Sequence, residues 1–307
     1  MVSIFVSVAS YRDPELVPTV LDCLAKAAAP DELRIVVNWQ HRGDEDVSAL
    51  RGDERVTILD FDARESRGAC WARARIQQHY VDSDWYLQVD SHTRFAPGWD
   101  ERLVAIAAQT GAAKPIVTAY PAAYDPAREL DGATQPTAIV LAGWTEDGLP
   151  EVGQVFLAAD PQSPKPVRAR FLAAGFLFAP GSFVREVRYD EKIYFMGEEI
   201  NLATRAFTHG YDLFHPGEIL AWHYYIRADQ PHHWDDHAGA DEPWYELDRA
   251  GRRRVRTLLT WPMFGELAAG EERTMADYQA YAGIDFQRRT AAEAARLGTE
   301  PPAPALR

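Results

Sequence analysis

Cysteine is scarce in this chain. Two occur among 307 residues, Cys23 and Cys70, each inside an apolar pattern of helical spacing, which excludes a disulfide framework and makes a reducing cytoplasm the expected home. Long apolar runs are missing too. The richest window, Phe171 to Pro180, is broken by Gly175 and falls short of the roughly 18 apolar residues a membrane helix needs, so no membrane partner is expected. The apolar start, Met1 to Ser10, has no basic segment before it and runs into Tyr11-Arg12-Asp13-Pro14; it reads as a buried first strand and not as a signal peptide. Positive charge is in deficit, with 32 Lys+Arg against 46 Asp+Glu for a net of −14. That balance excludes a general nucleic-acid binder held by phosphate contacts. No G-x-G-x-x-G follows the first apolar run, which argues against a dinucleotide-dependent oxidoreductase.

What is present is alternation. Val2 to Ala9 predicts a strand, and Asp13-Pro14 then supplies an acid and a proline suited to open a helix. Leu16, Val20, Leu21 and Leu24 follow at helical spacing up to Pro30. Leu33 to Trp39 and Val56 to Asp60 predict two more strands, Ala69, Ala72, Ile76 and Tyr80 a second helix, and Trp85 to Val89 a fourth strand. Strands alternating with helices define the α/β class with a mostly parallel sheet. Beyond that the rhythm loosens into a less regular half, so the sheet as a whole is expected to be mixed, with flanking helices. Residues 116–120, 137–141, 155–158 and 171–178 read as strands, 197–209 as a helix, and 211–214 and 219–225 as short strands. After Arg227 the chain turns charged and helix-prone, which places a boundary there: 1–227 as one domain, 228–307 as a polar flap plus a mainly helical extension. The last stretch, 298–307, reads as a frayed tail.

The segment richest in chemistry is Trp85 to His92. An apolar strand ends in Asp90, and His92 follows two residues later, so in extended backbone both side chains point to one side. Ligands of open α/β sheets bind at the carboxyl ends of strands. A carboxylate and an imidazole there suit a cation such as Mn²⁺ whose other positions are filled by substrate phosphates, and His223, on a second strand-like run, is placed to complete the set. The bland alternative is a turn-capping acid and a loop histidine.

The ordered set Arg67-Gly68-Ala69-Cys70-Trp71-Ala72-Arg73, Asp90-Ser91-His92 and Phe195-Met196-Gly197-Glu198-Glu199 resembles the GlcNAc-transferase family, whose eukaryotic members modify hydroxyproline on a cytoplasmic ubiquitin-ligase subunit. The order is also similar to that of the polypeptide GalNAc-transferases, with an aspartate-x-histidine metal motif and a later third histidine. The resemblance covers Ser3 to Arg227. It implies a GT-A fold, a UDP-sugar donor (GlcNAc ahead of GalNAc), Mn²⁺ or Mg²⁺, a hydroxyl-bearing acceptor on a protein or glycan, and transfer with retention. Asp90, His92 and His223 then become the metal ligands. Ser7, Ala9, Ser10, Tyr11 and Arg12 would hold the uridine, with Arg67, Ser91, Ala174 and Gly175 completing the donor site. Glu198, or in second place Glu199, would bind sugar hydroxyls; favourable charge at a helix N-terminus is the alternative. The competing functions are an inverting transferase and a non-catalytic nucleotide-sugar or glycan-binding module.

Other features are set aside. Arg73 and Arg75 read as surface ion pairs, and Arg12 reads equally as an anchor for the following helix. Arg252-Arg253-Arg254-Val255-Arg256 reads as a solvated helix face. His232-His233-Trp234-Asp235-Asp236-His237 lies in a polar stretch and reads as part of a flap, with a second metal site as the minor alternative.

Overall fold

The computed structural model describes all residues except 1, 44, 129, 131–134, 159, 161, 228, 229, 238–242, 262–264 and 305–307. The first half follows the alternating pattern: β1 (Ile4–Tyr11), α1 (Leu16–Lys26), β2 (Leu33–His41), β3 (Val56–Asp62), α2 (Ala69–Gln77) and β4 (Trp85–Asp90). Then come β5 (Thr93–Phe95), α3 (Trp99–Gln109), β6 (Pro115–Thr118), β7 (Ala122–Ala123), the hairpin β8 (Thr137–Trp144) and β9 (Pro150–Phe156), β10 (Val167–Arg168), β11 (Phe176–Pro180) and α4 (Phe183–Glu186). The chain continues through α5 (Glu198–Thr208), β12 (Asp212–His215), β13 (Ala221–His223), α6 (Trp244–Thr260), α7 (Met275–Ala282), β14 (Ile284–Asp285), β15 (Thr290–Ala291) and α8 (Glu293–Leu297).

Eight of these strands form one sheet in the order β10-β12-β6-β11-β4-β1-β2-β3. β1 pairs in parallel with β2 and β4, whereas β11 enters antiparallel between β4 and β6. The sheet is therefore mixed. Both faces are covered, which is why β1 is apolar nearly throughout: Phe5 faces the side of Cys70 and Ile76 on α2, while Ile4, Val6 and Val8 face Leu16, Val20 and Leu24 on α1. A second, three-stranded sheet, β5-β13-β7, lies at the carboxyl end of β4. It sets His223 opposite Thr93 and so beside His92.

Several local expectations shift: the strand expected at 155–158 runs Pro150–Phe156, and that at 219–225 is confined to Ala221–His223. Helix α1 opens at Leu16 with Glu15 as N-cap, because the Asp13 carboxylate accepts from the Glu15 N–H in a turn before it. In 171–178 only Phe176 onward is strand: the Ala173 N–H bonds the Thr118 hydroxyl in place of a ladder partner, and the chain turns at Gly175. The tail is anchored where it is described, since Arg168 pairs with Glu300 at 2.9 Å and Pro301 is buried.

Helices α6 to α8 do not stand apart from the sheet. Val255, Leu259, Tyr278, Tyr281, Phe286 and Ala295 belong to the same core as Phe5, Tyr86 and Leu177. The basic run on α6 is held in pairs: Arg252 with Asp248 at 2.6 Å, and Arg254 with the buried Asp190. Among the described residues no helix is long and apolar enough to cross a membrane.

Candidate active site

Asp90 is the last residue of β4, and His92 lies in the bend before β5. Pairing of β13 with β5 delivers His223, whose Nε2 stands 3.0 Å from Asp90 Oδ2; the His92 and His223 rings are 4.4 Å apart. Among the described residues these three form the one group of His, Cys, Asp or Glu whose ligand atoms all lie within 4.8 Å of one another. One carboxylate oxygen and two imidazole nitrogens that close fit a divalent cation of the Mn²⁺ type. Gly175 makes room for it: a Cβ there would sit 2.7 Å from Asp90 Oδ2, so only glycine lets the turn before β11 pass the cluster. The His232–His237 stretch holds no comparable group.

The cluster is braced by charge. Arg73, expected on the surface, is buried and bridges Asp90 Oδ1 at 2.6 Å and Glu198. Arg75, two residues on, points outward and pairs with Glu191 at 3.1 Å, as expected. Burial pushes the Asp90 carboxyl up, yet the His223 hydrogen bond and the Arg73 charge outweigh it and hold the group well below the usual carboxylate range. His223 is pushed down by burial, partly offset by Asp90. On the other side, Asp13 accepts from Ser91 Oγ at 2.6 Å and meets His92 Nδ1 at 2.7 Å and Arg227 at 3.2 Å. Ser91 thus turns toward α1 and away from Asp90.

One row of the sheet runs from Asn38 through Ala9 to Asp90. Ala9 adds almost no bulk between the two polar groups, and neither polar atom of the Asn38 side chain has a hydrogen-bond partner among the described residues although the residue is fully buried. A buried amide left in that state marks a place for a ligand or water. Ser7 lies two rows below, on the same face and fully buried opposite Gln88; Ser10 is buried as well. At the end of β1, Tyr11 donates to Asp236 at 2.6 Å, and Arg12 and Arg42 pair with the same carboxylate at 3.1 and 2.9 Å. The 230–237 segment therefore lies over the ends of β1 and β2. Of the proposed flap, 228, 229 and 238–242, including Asp229, Gly239, Asp241 and Glu242, lie outside the described residues.

Arg67 is exposed and lines an open cleft of about 700 Å³ together with Phe61, Trp71 and His237. At the Gly68 turn the Gly68 N–H bonds Ser66 Oγ at 3.3 Å. The Ala69 N–H bonds the Tyr194 carbonyl at 3.0 Å, and a Cβ on Gly68 would strike that oxygen.

The two acids opening α5 have parted roles. Glu198 is consumed by Arg73. Glu199 accepts from Tyr120 at 2.6 Å and from the Ala174 N–H at 3.0 Å, one residue from Gly175. Burial lifts the Glu199 carboxyl to about 7 against the pull of those two donors. Sequence reading missed Asn38, Tyr120 and Arg227, named Asp236 only as part of a flap, and assigned Asp13 and Arg73 other tasks. Arg227, four residues after His223, carried the one local signal.

A mixed α/β sheet of this order, with three residues able to hold a cation at the carboxyl end of its central strand, has the GT-A glycosyltransferase fold. The crystal structure of GalNAc-T7 with UDP, GalNAc and Mn²⁺ superposes with a TM-score of 0.58 at 16% identity, over 85% of this chain and 49% of that one. The chain thus spans about half the length of GalNAc-T7. S. aureus TarS 1-349 in complex with UDP-GlcNAc gives a TM-score of 0.48 at 12% identity, over 86% of this chain and 68% of that one. No curated protein matches in sequence. The glycosyltransferase (GlcNAc) family model matches residues 3–54 and 44–287. The chain belongs to that GlcNAc glycosyltransferase family.

Proposed function

We propose that this protein transfers GlcNAc from UDP-GlcNAc, with a divalent cation and with retention, to a hydroxyl of a protein or glycan acceptor, hydroxyproline or Ser/Thr being the protein candidates. The Asp90, His92 and His223 cluster carries the reading. It sits at the carboxyl end of the strand where ligands of such sheets bind, beside a row whose buried Asn38 amide lacks a partner. GalNAc-T7, of the same fold, holds UDP, GalNAc and Mn²⁺.

A cation bound there would supply the positive charge that a diphosphate leaving group needs. The chain's own residues do the rest. Asp90 and the two imidazoles would hold the cation, Arg73 keeps Asp90 ionised and in place, and Arg227 adds positive charge on the far side of His92. Ala9 and Gly175 leave space for the donor, and Asn38 offers both a donor and an acceptor to it. Arg67 and Trp71 in the adjoining cleft suit its nucleoside end. Glu199 replaces Glu198 as the acid facing the transferred sugar, because Glu198 is already spent on Arg73. Residues 230–237 close over the site as a lid that excludes water, while 1–227 carries the donor chemistry. A carboxyl poised near 7 also suits an inverting base; the anomeric configuration of the product separates the two routes.

Calorimetry with UDP, with and without Mn²⁺ and chelator, is the test. UDP is expected to bind at least tenfold tighter with Mn²⁺ present, and Asp90→Ala is expected to abolish that gain. Equal UDP affinity with and without the cation sinks the metal-bridged reading.

A further inference from the structure

We propose that Asp13 is a positioning residue: it holds His92 in the tautomer protonated at Nδ1 and so leaves Nε2 bare toward Asp90 and His223. The inference rests on reading those three residues as a cation site. Asp13 does not serve as the cap of α1, whose N-cap is Glu15. Its side chain is 1% exposed, and a carboxylate buried that deeply is tolerated only when its oxygens are met by donors. Here they are. Oδ1 accepts from the Glu15 N–H at 3.0 Å; Oδ2 accepts from Ser91 Oγ at 2.6 Å, faces Arg227 at 3.2 Å, and stands 2.7 Å from His92 Nδ1.

An ionised carboxylate only accepts, so His92 Nδ1 must be the donor in that contact. A neutral imidazole carries one N–H, so Nε2 keeps its lone pair. That is the nitrogen a metal needs, and a carboxylate behind a ligating imidazole is the arrangement that fixes ring orientation and raises ligand basicity. The same carboxylate ties together the β1–α1 turn, the bend carrying His92 and the segment following His223. These are the chain segments that must stay in register for the cluster to exist.

Asp13→Asn keeps the shape and removes the acceptor-only character. Its amide must turn an N–H either at the Glu15 N–H or at the His92, Ser91 and Arg227 donors. In the second arrangement it gives Nδ1 a donor and moves the imidazole proton to Nε2. With histidine-labelled protein free of metal at pH 8, ¹⁵N NMR is expected to find wild-type His92 protonated at Nδ1, and Asp13→Asn shifted toward the Nε2–H form. Mn²⁺ affinity, measured by calorimetry with the metal alone, is expected to fall roughly tenfold or more, with circular dichroism unchanged. A wild-type His92 protonated at Nε2 overturns the proposal whether or not the variant folds, as do identical tautomer populations or unchanged Mn²⁺ affinity in a folded variant. Wild-type protein that binds no Mn²⁺ overturns the cation-site reading alone, since the metal-free tautomer comparison decides the role of Asp13 separately.

Discussion

His215 sits fully buried on β12 between two backbone groups of opposite kind. Its Nδ1 faces the Thr118 carbonyl at 3.0 Å and its Nε2 accepts from the Ile139 N–H at 3.2 Å. A second ring proton would set donor against donor, and burial already pushes the pKa down to about 4 despite the Thr118 carbonyl. The unfolded chain protonates this group near 6.5. Its contribution is therefore complete above 6.5 and is lost as pH falls from there toward 4, by about 3 kcal/mol at most. His215→Gln, whose amide serves both backbone partners, is expected to unfold in urea with a visibly flatter acid limb over that window. Parallel slopes for the two proteins refute the assignment. At the site, the paired acids separate by partner. Glu198→Gln frees Arg73 and is expected to weaken metal and UDP binding together. Glu199→Gln is expected to keep UDP affinity, lose turnover and remove an inflection near pH 7 from the rate profile, the value to which burial lifts this carboxyl. Steady-state kinetics across pH 5.5 to 8.5 on both variants decides between them.

The element that stands out is the segment 230–237. It buries little of its own, yet Asp236 draws Tyr11, Arg12 and Arg42 to one carboxylate, and His233 meets the Tyr194 hydroxyl at 2.6 Å. Arg12 itself adopts φ +44°, a backbone state uncommon for a residue with a side chain. A strap whose ion pairs all share one acid loosens when that acid is lost. Asp236→Asn is expected to raise hydrogen exchange across 230–237 severalfold while leaving β1 protected, and UDP with Mn²⁺ is expected to change wild-type exchange there. Exchange unaltered by both refutes the lid. The spacing of the segment's histidines invited a metal reading; what the fold uses instead is the neighbouring aspartate, because only the fold brings the ends of β1 and β2 beneath it.

At the scale of the molecule, the extension after residue 243 is bound into the main core. Val255, Leu259, Tyr278, Tyr281 and Phe286 pack with Phe207, Tyr211 and Ile200, at about 2 kcal/mol or more for each large side chain fully buried. A whole domain is stable by only about 5 to 15 kcal/mol. Removing 244–307 is therefore expected to cost the cooperative thermal transition and the near-ultraviolet dichroism of the remainder. A shortened chain that still melts cooperatively shows that the two parts fold independently.

By itself, the sequence determined what depends on near neighbours. The alternation through residue 90 and the apolar strand ending in Asp90 with His92 after it were legible, because side-chain period and strand ends are set within a few residues. Tertiary structure alone decided who meets whom. Arg73 and Arg75 differ by two positions on one helix, yet one is buried between Asp90 and Glu198 and the other faces solvent, a distinction set by the register of α2 on the sheet. Glu198 and Glu199 look interchangeable as letters; the turn of α5 sends the first to an arginine and the second to Tyr120. Asp13, 79 residues from His92 along the chain, reads as a helix-opening acid until the fold puts an imidazole against it. Local preference chooses the elements, whereas the pairing of buried charges is a long-range choice made when those elements pack.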